Sequence, residues 1–126
     1  MTQTLRELMT PQPMILDASA TVAEAAQYMR DEDVGDVLVQ DDGELCGIVT
    51  DRDIVVRCIA EDEDPSSSRL GDLCSEELVT LEVDASIDDA VTLMATHAVR
   101  SVPVVEKGAV LGILSLSDLA LAYDPD

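Results

Sequence analysis

The hydrophobic spacing along this chain switches between helical and extended patterns, and it does so twice in the same order. Leu5 and Leu8 mark a short amphipathic turn, and Leu70 and Leu73 mark another. Extended segments follow at Met14-Ile15-Leu16 and Val79-Thr80-Leu81. Val22, Ala25, Ala26 and Met29 then recur at helical spacing, as do Ile87, Ala90, Val91 and Met94. Thr21 and Ser86 are placed to cap these helices, with Glu24 and Asp89 at the third helical position. Two strands come next, around Val37-Leu38-Val39 and Leu45 to Val49, with Asp41-Asp42-Gly43 supplying the turn. The second copy carries Val102-Pro103-Val104-Val105 and turns at Glu106-Lys107-Gly108. Pro103 donates no hydrogen bond, so its missing donor is expected where the ladder has no partner. A last helix is predicted from Asp51 to about Ala60, and again from Leu116 to about Tyr123.

The two copies align without a gap. Residues 5–59 placed on 70–124 give 13 identities in 55 positions, and exchanges such as Thr10/Ser75, Asp17/Glu82 and Thr50/Ser115 are conservative. A match that runs through turns and strands alike points to duplication. The predicted fold class is α+β: two β-α-β-β-α repeats related by a pseudo-twofold axis and packed through their sheets. The expected organisation is repeat 1 over 1–60, an acidic and serine-rich linker over 61–69, and repeat 2 over 70–126. A unit of about 55 residues is marginal by itself, so the halves are expected to share burial. Residues Glu61 to Ser68 are polar and lack a period, and read as a solvated connection.

Composition narrows the chemistry. The apolar fraction is 47%, with no Phe or Trp, and Tyr28 and Tyr123 are the only large rings, so the core is aliphatic. Met9, Met14, Met29 and Met94 are expected to fill core gaps. The formal charge is −20, from 27 acidic against 7 basic residues. Such a surface repels itself unless salt screens it, and abundant acids with scarce lysine resemble proteins of salt-in halophiles such as haloarchaea. No basic stripe is present for nucleic acid. No secretory leader or membrane-length apolar run is visible, which suggests a cytoplasmic protein. Cys46, Cys58 and Cys74 share no CxxC spacing, so neither a disulfide framework nor a zinc site is expected, and Cys46 reads as a small core residue.

The candidate chemistry lies at two repeated corners, Gly47-Ile48-Val49-Thr50-Asp51-Arg52-Asp53 and Gly112-Ile113-Leu114-Ser115-Leu116-Ser117-Asp118. Each leaves a strand, reaches a hydroxyl, and enters a helix with Asp three positions on. One reading makes Thr50 and Ser115 helix caps, with Asp53 and Asp118 as capping-box acids. The other turns the hydroxyl, the first helical amides and the carboxylate toward a ligand carrying an anion and vicinal hydroxyls. The persistence of both glycine and aspartate, while the residues between them drift, favours a ligand. Asp51 and Asp53 are neighbours that do not face one another on a helix, so no metal pair is read there. His97 is expected at the surface near a helix end, and a single histidine leaves no relay for nucleophilic catalysis.

At this point the chain resembles a tandem pair of cystathionine-beta-synthase (CBS) domains, a Bateman module of the stand-alone prokaryotic type. The resemblance rests on Leu8-Met9-Thr10, Thr21 to Ala26 with Met29, Val34-Gly35, Gly47 to Asp53, Val99 to Val105, and Gly112 to Asp118. It implies two clefts for adenosine-containing ligands: AMP, ADP, ATP or S-adenosylmethionine. One cleft would use Thr50, Arg52 and Asp53 with Val79 and Val99. The other would use Ser115, Ser117 and Asp118 with Met14, Val34, Gly35 and Arg100. Near the clefts the chain offers only Arg52, Arg57 and Arg100 as cations, which suits a weakly charged ligand better than a triphosphate. The resemblance further implies a disc-shaped homodimer and an unidentified target protein; the residues themselves suggest no required cofactor, no bound metal, no catalytic group and no contact with nucleic acid or membrane. Two function classes follow: a regulatory sensor, or a structural dimerisation module with unused clefts. An enzyme is disfavoured.

Overall fold

Each sequence repeat builds its sheet around one hairpin. The structure, a computed structural model, describes residues 3–74 and 78–122; Ser75 and Tyr123, used in the sequence reading, lie outside them. In chain order the elements are α1 (Leu5–Leu8), β1 (Thr10–Pro11), β2 (Ile15–Asp17), α2 (Val22–Glu32), β3 (Asp36–Asp41), β4 (Glu44–Thr50) and α3 (Asp51–Ile54). A π-helical turn, Val55–Ile59, continues α3, so the predicted helix from Asp51 to about Ala60 is half α and half π. A 3-10 turn at Leu70–Asp72 opens the second copy, followed by β5 (Leu81–Glu82), α4 (Ile87–His97), β6 (Ser101–Glu106), β7 (Ala109–Ser115) and α5 (Leu116–Ala122). Both hairpins turn through two residues of positive φ, Asp42 and Gly43 (53° and 81°) and Lys107 and Gly108 (52° and 82°). That backbone matches the strand twist.

The chain forms two compact units, Met14–Leu78 and Met1–Pro13 with Val79–Asp126. They do not coincide with the sequence repeats, because the leading turns are exchanged. Leu70 and Leu73, which open the second copy, are buried with Val22, Ala25, Met29, Val37, Val39, Val49, Ile54 and Cys58 of the first. Leu5 and Met9, which open the first copy, are buried with Leu81, Ala90, Met94, Val102, Val104, Leu114 and Leu119 of the second. Sequence patterning places a turn at each position but carries no sign of which sheet it covers.

In Met14–Leu78 the sheet order is β2-β3-β4, with β2 parallel and β4 antiparallel to β3. α2 lays Val22, Ala25 and Met29 on it. Thr21 Oγ1 accepts from the Glu24 amide at 3.1 Å, as the sequence predicts. The polar stretch after residue 60 is not a loose connection. Its side chains are largely exposed, but the carbonyls of Ser68 and Pro65 accept from the amides of Val22 and Ala23, both at 2.9 Å. Those two amides have no partner inside the helix, and the linker backbone satisfies them.

The other unit carries the order β1-β7-β6-β5. Here α4 buries Ala90 and Met94, and Ser86 and Asp89 form a reciprocal capping box. Pro103 explains an asymmetry between the sheets. Its counterpart Leu38 donates its amide to the Met14 carbonyl at 3.0 Å, and β2 then runs three residues. Proline lacks that donor, and β5 runs only two. The missing donor falls on the β5 side, at the residue before β6 pairs with it.

Gly47 and Gly112 lie inside β4 and β7, opposite Val39 and Val104. At Gly112 a Cβ would stand 2.5 Å from the Thr10 carbonyl oxygen and 2.7 Å from Met9 Sδ. This glycine is therefore explained by the close approach of Met9 and β1, and its persistence no longer counts toward a ligand. Met14 is 40% exposed, unlike Met9, Met29 and Met94, and is not a core residue. Cys46 is half-buried at the edge of the first core.

Candidate functional site

Both corners are capping boxes. β4 ends at Thr50, whose Oγ1 accepts from the Asp53 amide at 3.1 Å. Asp53 Oδ2 accepts in return from the Thr50 amide at 2.9 Å. The second corner repeats the geometry: Ser115 Oγ accepts from the Asp118 amide at 3.1 Å, and Asp118 Oδ2 from the Ser115 amide at 2.9 Å. Ser117 Oγ lies 3.1 Å from Ser115 Oγ. The structural reading of these residues is thus correct as far as it goes.

It does not account for the whole carboxylate. Asp53 and Asp118 are half-buried, and each commits Oδ2 to a backbone amide. Among the described residues, Oδ1 of each has no hydrogen-bond partner. An ionised carboxylate has about four acceptor sites. One oxygen fixes the side chain while the other stays available, so capping and ligand binding do not compete.

The residues flanking each corner come from the start of the preceding strand of the same repeat. The Asp51 amide donates to the Gly35 carbonyl at 2.9 Å, and the Leu116 amide to the Arg100 carbonyl at 2.7 Å. Thr50 pairs with Asp36, and Ser115 with Ser101. Val34 and Gly35 therefore adjoin the Thr50 corner, and Val99 and Arg100 the Ser115 corner. Met14, Val34, Gly35, Arg52, Arg100 and Ser117 are exposed. Val79 and Val99 are half-buried against the second core. Pro103 leaves the Val79 carbonyl without the amide that Met14 receives from Leu38.

Positive charge near the corners is scarcer than the sequence suggests, because Arg57 Nη1 donates to the Leu73 carbonyl at 2.8 Å. Arg52 and Arg100 remain solvent-facing. His97 closes α4 and is half-buried. Among the described residues no group of three His, Cys, Asp or Glu is arranged to hold a metal ion, and no helix is long and apolar enough to cross a membrane. The sequence reading missed a thiol pair: Cys46 Sγ and Cys74 Sγ lie 3.7 Å apart. Twenty-eight residues separate them in the chain, and no local spacing signals the encounter.

Comparison with known proteins fits this architecture. The CBS domain model matches twice, over residues 5–59 and 70–124, the register of the internal duplication. The uncharacterized protein YlbB of Bacillus subtilis is 42% identical over 120 residues, covering 94% of this chain and 80% of its own. Hypoxic response protein 1 of Mycobacterium tuberculosis is 35% identical over 118 residues, covering 93% of this chain and 82% of its own. A crystal structure of Hypoxic Response Protein I, with two coordinated zinc ions, superposes with a TM-score of 0.83 at 33% identity, over 94% of this chain and 98% of that one. A hexameric CBS-CP12 protein from bloom-forming cyanobacteria superposes with a TM-score of 0.88 at 27% identity, over 100% of this chain and 77% of that one.

Proposed function

The chain belongs to the CBS-domain family as a tandem pair, and from that premise we propose that it is a ligand-sensing regulatory module whose ligands contain adenosine. CBS-domain pairs are generally regulatory or ligand-binding modules, and the family is generally non-catalytic. One observation supports the finer reading: each capping aspartate holds its own corner with Oδ2 and keeps Oδ1 unengaged among the described residues. Such an oxygen, fixed beside helix-start amides, accepts from ribose hydroxyls. The proposed contacts are Thr50, Arg52 and Asp53 with Val34 and Gly35 at one corner, and Ser115, Ser117 and Asp118 with Val99 and Arg100 at the other. The scarcity of cations favours AMP or S-adenosylmethionine over ADP or ATP. Binding would bias the relative orientation of the repeats, and a partner protein would read the shift.

Self-association belongs to the same proposal. Val55, Val56 and Ile59 on one helical segment are 59%, 47% and 51% exposed, and Leu116 and Leu121 on α5 are 48% and 68% exposed. Apolar helix faces of this kind suit a homodimer. The two proposals are tested together. Isothermal titration with AMP, ATP and S-adenosylmethionine in concentrated KCl should give saturable heat with at least one ligand, and light scattering at micromolar concentration should give a dimer. No heat with any of the three would sink the sensor. A dimer without binding would leave the dimerisation module as the function.

A further inference from the structure

Cys46 and Cys74 form a pair that neither the fold nor the proposed ligand requires. Cys46 sits on β4 and Cys74 just after the turn Leu70–Asp72, both half-buried and both packed against the core of Met14–Leu78. The equivalent positions in the other repeat are Leu111 and Met9, which belong to the core of their own unit. Plain apolar bulk is thus sufficient at these places, and sulfur is an addition. Cys58, the third thiol, is fully buried, with Sγ 3.6 Å from the Glu63 carbonyl.

We propose that Cys46 and Cys74 close reversibly into an intramolecular disulfide that ties β4 to the turn covering it, making this unit redox-sensitive. Their sulfurs are 3.7 Å apart and must approach by a further ~1.7 Å to reach bonding distance. Burial, and then the hydrogen bond shared with Cys46, push the Cys74 thiol up to about 12, so Cys74 stays protonated and the first attack is assigned to Cys46. With a low-molecular-weight disulfide RSSR, the Cys46 thiolate attacks one sulfur, and RS⁻ departs and takes up a proton. The Cys74 sulfur then attacks the Cys46 sulfur and displaces the second RS group, which takes the Cys74 proton and leaves as RSH. The chain loses two protons and two electrons, and RSSR, gaining them, becomes two RSH. Asp53 and Arg57 are the charges felt at Cys74, and Arg57 also holds the Leu73 carbonyl. The bond therefore forms beside the first corner.

The test is equilibration of the full chain with glutathione at varied ratios of oxidised to reduced form. The sample is then acid-quenched, denatured and alkylated, and its intact mass measured. The expected product is a monomer with one alkylated thiol, mapped by peptide analysis to Cys58, and a melting temperature raised by about 10 °C that returns to the reduced value on adding dithiothreitol. Cys58→Ser should still close, and Cys46→Ser should not. Three alkylated thiols at every ratio, or a disulfide-linked dimer as the oxidised product, would overturn the proposal.

Discussion

Gly112→Ala probes the exchange of leading turns most sharply. The added methyl would lie 2.5 Å from the Thr10 carbonyl oxygen, 2.7 Å from Met9 Sδ and 3.0 Å from Met9 Cγ, the first about 1 Å inside ordinary contact. A methionine end can swing aside, but a backbone carbonyl paired into a sheet cannot. β1 must then lift from β7, releasing the Thr10–Ile113 and Pro11–Gly112 pairs and the Gln12 amide, which donates to the Leu111 carbonyl at 3.2 Å. Overpacking costs about 1–3 kcal/mol, and partial uncovering of Met9 adds roughly 1 kcal/mol. The expected loss is about 3 kcal/mol, or a fall of ~10 °C in melting temperature. Urea denaturation measures the loss, and hydrogen exchange should show the Gln12 amide unprotected in the variant. Gly108→Ala is the control: nothing lies within 4 Å of its Cβ position, and its φ of +82° costs about 1 kcal/mol alone. A Gly112→Ala loss below about 0.5 kcal/mol would show that β1 does not sit on β7 as described.

Three other outcomes follow from single features. Ala98 ends α4 in the left-handed conformation (φ 54°, ψ 41°) and is exposed, so Ala98→Gly should raise stability by about 0.5–1 kcal/mol in chemical denaturation; a loss would contradict the cap geometry. The Cys74 thiol, pushed up to about 12 mainly by burial, stays protonated in the folded protein at pH values where the unfolded chain has ionised. Stability should therefore fall as pH rises from about 9 toward 12, and Cys74→Ser should flatten that slope in reduced protein; an identical slope would show that the Cys74 environment does not disfavour its thiolate. With a formal charge of −20, raising KCl from about 0.1 to 1 M shortens screening from ~10 to ~3 Å and should raise the melting temperature, a flat response counting against self-repulsion as a limit on stability.

Local order was legible in the sequence because it follows from local rules. Thr21, Thr50, Ser86 and Ser115 cap as their spacing predicts, and Asp42-Gly43 and Lys107-Gly108 turn the hairpins. Long-range choices were not legible. Leu5 and Leu70 carry the same pattern whichever core they cover, and Cys46 meets Cys74 only because the turn after Leu70 folds onto β4. Gly112 misled in an instructive way: its repetition suggested chemistry, whereas a neighbouring backbone occupies the space a side chain would need. The linker misled because side-chain polarity says nothing about carbonyls, and those of Pro65 and Ser68 close α2. At the corners, spacing could not decide between cap and ligand, because one carboxylate has acceptors enough for both.

Asp118→Asn separates those roles most directly. The amide oxygen can keep accepting from the Ser115 amide while the charge and the unengaged acceptor are lost. Titration calorimetry with AMP or S-adenosylmethionine, run beside thermal melts, is expected to show binding weakened by at least about tenfold, equivalent to ~1.4 kcal/mol, with a melting temperature within a few degrees of the parent. Unchanged affinity, or a large loss of stability with binding intact, would show that Asp118 serves the helix alone.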